Sequence, residues 1–168
     1  MNDLIEDWKQ NAERKSDENF GFLHWLKFHK DPDHVDRIAG ESHGEVFSEI
    51  DCTDCGNCCR VIRPTFDKSD IERISSHLQI SEEEFVETYL QIGEDNEYET
   101  TTLPCPFLKE NKCGIYDIRP TTCREYPHTD KEGFSSRKYL HSGNAEVCPA
   151  VYQILETMKY RFNWRRRR

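Results

Sequence analysis

The run Asp51-Cys52-Thr53-Asp54-Cys55-Gly56-Asn57-Cys58-Cys59-Arg60 constrains this chain more than any other stretch. It puts four of the eight cysteines within eight residues, spaced C-x2-C-x2-C-C. A C-x2-C step turns two sulfurs toward one point, and Gly56 can take positive φ and leave backbone N–H groups facing them. Neighbouring side chains diverge, so Cys59 is expected either to serve a different ion or cluster from Cys58 or to sit on a sharp turn. Cys105, Cys113, Cys123 and Cys148 lie far downstream. The middle of the chain must therefore fold back onto this knot.

The rest of the composition narrows what such a knot is for. Charged residues make up 33% of the 168 residues, against 35% hydrophobic, and the mean hydropathy is -0.89. Apolar side chains are scarce and must be used economically. A net charge of -9 argues against broad contact with nucleic acid or anionic lipid. Arg165 to Arg168 are expected to be a solvated basic tail. No run is long and apolar enough to cross a membrane. The start, Met1-Asn2-Asp3-Leu4-Ile5-Glu6-Asp7, lacks the basic and apolar regions of an export signal. The expected location is the cytoplasm. There, dense cysteines point to metal or redox chemistry before structural disulfides.

Periodicity outlines the framework. Leu4, Ile5, Trp8 and Ala12 predict an amphipathic helix over 3–15, and Asp17 caps a second carrying Phe20, Leu26 and Phe28. Asp31-Pro32 opens a third helix through Val35, Ile38 and Ala39, expected to end in a turn at Gly40–Gly44 before an extended lead-in over 46–50. Arg60 to Pro64 reads as extended. Ile71, Ile74 and Leu78 mark another helix, and Ser81 with Glu84 forms a capping box for the one after it. That helix is expected to stop at Gly93, followed by an acidic loop over 94–99. Cys105 to Tyr116 reads as a short hairpin turning at Lys109–Lys112. Residues 134–140 look partly extended, and Cys148-Pro149 opens a last helix buried through Val151, Ile154, Leu155 and Met158. The expected fold is a small, mainly α-helical, metal-stabilised α+β domain with a short β-hairpin in the cysteine-bearing region. Residues 1–45 would be a helical extension, 46–160 the cysteine-rich domain and 161–168 the basic tail.

Cys52, Cys55, Cys58, Cys59, Cys105, Cys113, Cys123 and Cys148 are the candidate metal ligands, with His128, His141 and Asp54 in reserve. Four thiolates satisfy tetrahedral zinc, and four satisfy a [4Fe–4S] or [2Fe–2S] cluster. The thiols divide into two such sets, or form one site with spare, redox-active cysteines. Cys148, at the start of a helix, is the best-placed low-pKa thiol on the second reading. Arg60, Arg119 and Arg124 flank cysteines and can offset the negative charge of a thiolate site.

These blocks resemble the family of small proteins with a zinc- or iron-chelating CxxCxxCC domain. The resemblance rests on Cys52 to Cys59, Pro104-Cys105-Pro106-Phe107-Leu108, Cys113-Gly114-Ile115-Tyr116 through Arg119-Pro120 to Cys123-Arg124-Glu125-Tyr126-Pro127, and Cys148-Pro149. It covers about residues 50–150 and implies bound zinc or iron. More distant relatives look like flagellin lysine methylases, but this chain is short and shows no nucleotide-binding motif. Two classes of function follow. One is a metal-binding protein with a structural, redox or electron-transfer role and a protein partner. The other is a metal-dependent protein-modifying enzyme or a metal-delivery protein. There is no glycine-rich cofactor loop, no H-E-x-x-H run and no Ser/His/Asp set to favour an enzyme.

Overall fold

The computed structural model describes residues 8–165. Leu4 and Ile5 of the first expected helix, and most of the arginine tail, lie outside them. The chain divides into two units, one from residues up to Cys55 together with those from Pro127 onward, the other from Gly56 to Tyr126. This division differs from a boundary at residue 45.

The first unit is helical. It comprises α1 (Trp8–Arg14), α2 (Ser16–Lys27), α3 (Pro32–Glu49), α4 (Cys52–Cys55), a 3-10 turn (Phe134–Arg137), α9 (Lys138–Val147) and α10 (Pro149–Arg161). Asp31 caps α3 by accepting from the His34 N–H at 2.9 Å, and Pro32 occupies the first turn. The turn expected at Gly40–Gly44 is absent, because α3 continues through both glycines to Glu49. Val35, Ile38, Ala39, Ser42 and Val46 recur at helical spacing and are buried along one face. That burial outweighs the cost of two helical glycines, roughly 1 kcal/mol each. Residues 134–140, expected to be partly extended, are instead the 3-10 turn leading into α9. Asp36 fixes that turn by accepting from the Gly133 and Phe134 N–H groups at 2.6 and 2.9 Å.

One apolar core joins the two ends of the sequence in this unit. Phe22, Leu23, Leu26 and Val35 pack with Val151, Ile154, Leu155 and Met158. Lys159 is buried beside them, held by Glu18 and Glu156 at 2.7 Å and Asn19 at 2.6 Å. The charge stays buried because every contact is an ion pair or a hydrogen bond. The amino-terminal helices thus supply half of a core, where the sequence suggested an extension.

The second unit comprises α5 (Cys58–Val61), β1 (Thr65–Phe66), α6 (Lys68–Leu78), α7 (Glu82–Tyr89), β2 (Leu90–Ile92), β3 (Tyr98–Thr100), β4 (Leu108–Lys109), β5 (Lys112–Cys113), a 3-10 turn (Tyr116–Ile118) and α8 (Thr121–Glu125). α6 opens on a capping box between Asp67 and Asp70, and Ser81 accepts from the Glu84 N–H at 3.1 Å to start α7. The sheet is antiparallel in the order β1-β3-β2. It takes up residues 90–92 and 98–100, which the sequence assigned to a helix end and a loop. Phe66, Ile71, Ile74, Phe85, Leu90, Phe107 and Ile115 form the core. β4 and β5 pair through Leu108↔Cys113 and Lys109↔Lys112. Glu110 and Asn111 turn between them with φ of 48° and 68°.

The fold expectation needs correcting in two respects. The cysteines at 52–61 lie in two short helices, α4 and α5, not in a hairpin. A C-x2-C step spans about one helical turn, and nothing in the stretch alternates as a strand would. Among the described residues, moreover, no group of three or more His, Cys, Asp or Glu side chains is gathered to hold a metal ion. The helices pack around two apolar cores of their own, which hold the fold in place of the expected metal.

Candidate metal centre

Each half of the knot belongs to a different unit. Cys52 and Cys55 stand at the two ends of α4, with Asp51 accepting from the Thr53 N–H at 2.8 Å to start the turn. Gly56 then takes φ of 59°, and a β-carbon there would lie 2.9 Å from Arg60 Nη1 and 3.2 Å from the Asn111 carbonyl. Only glycine suits both the backbone angle and the close approach. Cys58 and Cys59 open α5 as adjacent residues. Their side chains diverge by about 100° around that helix. No disulfide joins any of the eight cysteines.

Within residues 56–126 the backbone brings Cys59 to the downstream thiols. The Cys105 N–H donates to the Cys59 carbonyl at 2.7 Å. Arg60 donates to the Gly56 carbonyl at 2.9 Å and to Asn111 Oδ1 in the β4–β5 turn. Cys113 sits opposite Leu108 in that hairpin, and the Leu108 N–H donates to the Cys105 carbonyl at 3.0 Å. Cys59, Cys105 and Cys113 pack in the same apolar cluster. Cys123 lies on α8, whose first N–H, from Thr121, donates to both oxygens of Asp70 at 3.2 and 3.3 Å. Thr122 ties the same helix to the Thr65 carbonyl at 2.9 Å.

The thiols differ in acidity for identifiable reasons. A hydrogen bond from Cys58 holds the Cys59 thiol down to about 7, with Arg60 adding to the effect and burial opposing it. Burial pushes Cys105 up to about 11 and Cys123 up to about 12, and raises Cys113 as well. Negative charge on Cys59 raises all three further, and Cys105 and Cys113 add to the effect on Cys123. Charge on Cys59 thus reaches the other three side chains, although the four are not drawn to ligand spacing. Arg119 works in the opposite direction on Cys113 and Cys123. Its guanidinium lies 3.9 Å from the Tyr116 ring centroid and donates to the Tyr116 carbonyl at 2.6 Å. Arg124, the third arginine singled out from the sequence, donates to Thr121 Oγ1 at 3.2 Å.

In the other unit Cys148 caps α10 and packs with Cys55 against the helical core. The helix start does not make it acidic. Burial dominates and pushes Cys148 up to about 12, with Cys52 and Cys55 adding to the rise. The low thiol is Cys59 instead. Of the reserve ligands, His141 is buried and stacks on Phe134 with centroids 4.0 Å apart. Neither of its ring nitrogens has a hydrogen-bond partner.

Sequence reasoning took Asp70 only as a helix start, alternative to Ser69, and Asn111 only as a turn residue, although both help to position these thiols. Asp70 carried a signal as the third residue of a capping box. Asn111 carried one as a turn residue that tolerates positive φ.

A mainly helical protein with eight cysteines, four of them in one C-x2-C-x2-C-C run, is of the cysteine-rich class. The family description "putative zinc- or iron-chelating domain", CxxCxxCC, matches residues 51–149, more than half of the chain. The chain belongs to that family. A relative from Methanocaldococcus jannaschii, the uncharacterized protein MJ0661, is 35% identical over 82 residues, covering 46% of this chain and 44% of that protein. The chain thus spans less than half the length of this curated relative. No solved structure matches. Among the described residues no helix is long and apolar enough to cross a membrane.

Proposed function

We propose that this protein binds zinc or iron through its cysteine thiolates, in a structural or electron-transfer capacity set by which metal is held. The observation that supports the reading is the family match over residues 51–149, together with the backbone tie and apolar cluster that bring Cys59, Cys105 and Cys113 onto one small unit. The donor chemistry fits, since four thiolates match closed tetrahedral zinc or an iron–sulfur cluster. The spacing does not yet match, so the sulfurs must close around an ion. Arg60 and Arg119 would offset the excess negative charge of such a site. A closed thiolate set leaves no open position for a substrate. For that reason the protein-modifying reading, and with it the likeness to flagellin lysine methylases, ranks second. A cytoplasmic location and a protein partner belong to the same proposal, because free thiolate sites persist in reducing surroundings.

The test is metal analysis of anaerobically purified protein. Colourless protein with stoichiometric zinc and no acid-labile sulfide indicates a structural or transfer site. Brown protein that releases sulfide in acid indicates an iron–sulfur cluster and electron transfer. Protein that holds neither metal in stoichiometric amount, even after anaerobic reconstitution, contradicts the proposal.

A further inference from the structure

Among the described residues two lysines are buried, both in the helical unit, and they are neutralised differently. Lys159 meets two carboxylates, Glu18 and Glu156, at 2.7 Å each. Lys138, at the start of α9, is 8% exposed and meets no carboxylate among the described residues. Its ammonium donates to His24 Nδ1 at 3.2 Å and lies 4.7 Å from the ring centroids of both Phe20 and Tyr139. An ammonium has three N–H donors, so two of them are left with ring faces alone. The chain has 32 acidic residues to draw on, yet none is placed here.

The rings around Lys138 are open to solvent. Phe20 is 37% and Tyr139 73% exposed, with centroids 5.7 Å apart. Phe20 and His24 on α2, and Phe28 just beyond its end, follow at i, i+4 spacing and line one face for about 12 Å. His24 and Phe28 pack edge-on at 5.1 Å, and Lys27 Nζ lies 6.0 Å from the Phe28 ring. The strip is aromatic along its length and has a cation at each end.

We propose that this strip docks an acidic peptide segment of a partner protein, whose carboxylate supplies the missing counter-charge to Lys138 and whose apolar residues cover the rings. The proposal rests on the protein-partner part of the reading above and not on metal binding. The ammonium is already desolvated in the free protein, so pairing it costs little further desolvation. Nucleic acid and anionic lipid suit the strip less, because they present many charges to a chain of net charge -9.

A phage-displayed library of random peptides is selected on the immobilised full chain and in parallel on Tyr139→Glu. That variant puts a competing carboxylate beside Lys138 at the most exposed ring of the strip. Peptides enriched on the parent alone are expected to carry Asp or Glu beside aromatic or aliphatic residues. One of them is then titrated as a synthetic peptide. Lys138→Met, and separately Gln in place of the peptide's acidic residues, should each weaken binding about tenfold or more, and together no further. If Lys138→Met fails to fold, Phe28→Ala, at a 69% exposed ring, decides in its place and should also weaken the peptide about tenfold. Enrichment of basic or uncharged peptides only, equal binding to Tyr139→Glu, or no enrichment at all overturns the proposal. A parent that dimerises in sedimentation and is made monomeric by Tyr139→Glu overturns it in favour of a second copy of the chain. Metal content enters none of these readouts, so the docking proposal and the metal reading fail separately.

Discussion

Asp70→Ala is expected to destabilise residues 56–126 by about 3 kcal/mol and to loosen the helix that carries Cys123. The carboxylate is 1% exposed, yet its charge is fully engaged. Arg73 donates to it at 2.6 Å, the Thr121 hydroxyl at 3.2 Å and the Thr121 N–H at 3.2 and 3.3 Å, and it completes the capping box of α6 with Asp67. Removing it strands a helix-starting N–H, a hydroxyl and part of a guanidinium in a half-dry site. Arg73 also donates to the Ile118 and Arg119 carbonyls, so its displacement disturbs the turn before α8 as well. Asp70→Asn keeps shape and one acceptor, and is expected to cost about half as much. Urea unfolding followed by amide exchange of residues 56–126 measures both. A change below about 0.5 kcal/mol for alanine, the range of ordinary surface substitutions, would show that Asp70 does not hold α8.

The second large effect is on pH dependence and centres on His141. Burial, with Arg137 and His128 nearby, holds its imidazole down to about 3 from the usual 6.5. The Phe134 backbone opposes this slightly, without a hydrogen bond of normal geometry. The folded protein therefore binds fewer protons at this site than the unfolded chain does. Its contribution to stability is fully present above pH 6.5 and is lost progressively as pH falls toward 3. The full loss is on the order of 5 kcal/mol at most. His43, lowered by burial, adds a share of the same sign. Glu156, lowered by its lysine partners against burial, adds to the loss only below about pH 4.5. His141→Leu should flatten the fall in stability between pH 6.5 and 5, leaving the His43 share. At pH 7 the variant should be as stable as the parent or up to about 2 kcal/mol more so, because two unpaired nitrogens leave the interior. An unchanged slope across that interval would mean that His141 does not titrate in the unfolded-to-folded transition.

Helices with a clean apolar stripe and a capping residue, such as α7 behind Ser81 and α10 behind Cys148-Pro149, were legible because local spacing alone determines them. α3 was not. Gly40 and Gly44 signal a turn, and only the buried row from Val35 to Val46 explains why the helix runs on. The sheet was missed for a related reason. Tyr98 to Thr100 lie among acidic residues and become a strand through pairing with both Thr65–Phe66 and Leu90–Ile92.

For the cysteines, the sequence offered candidates but not their surroundings. The C-x2-C-x2-C-C run named four candidate ligands and the isolated downstream cysteines the other four, but acidity depends on burial and on neighbours. Cys148 looked acidic at a helix start and is not, because desolvation outweighs the helix end. Cys59 is held down by Cys58 and Arg60, its immediate neighbours. The absence of cysteine before residue 50 suggested an extension there. The core partners of those helices come from residues 145–158, and periodicity carries no information about so distant a pairing.

Counting reactive thiols by mass tests most directly whether these cysteines are ligands. Metal-loaded protein is alkylated under native, anaerobic conditions, and a second sample is alkylated after chelation. The prediction is that few of the eight cysteines react before chelation, with Cys59, Cys105, Cys113 and Cys123 all protected, and that nearly all react afterwards. Reaction of those four cysteines while the metal remains bound would contradict it.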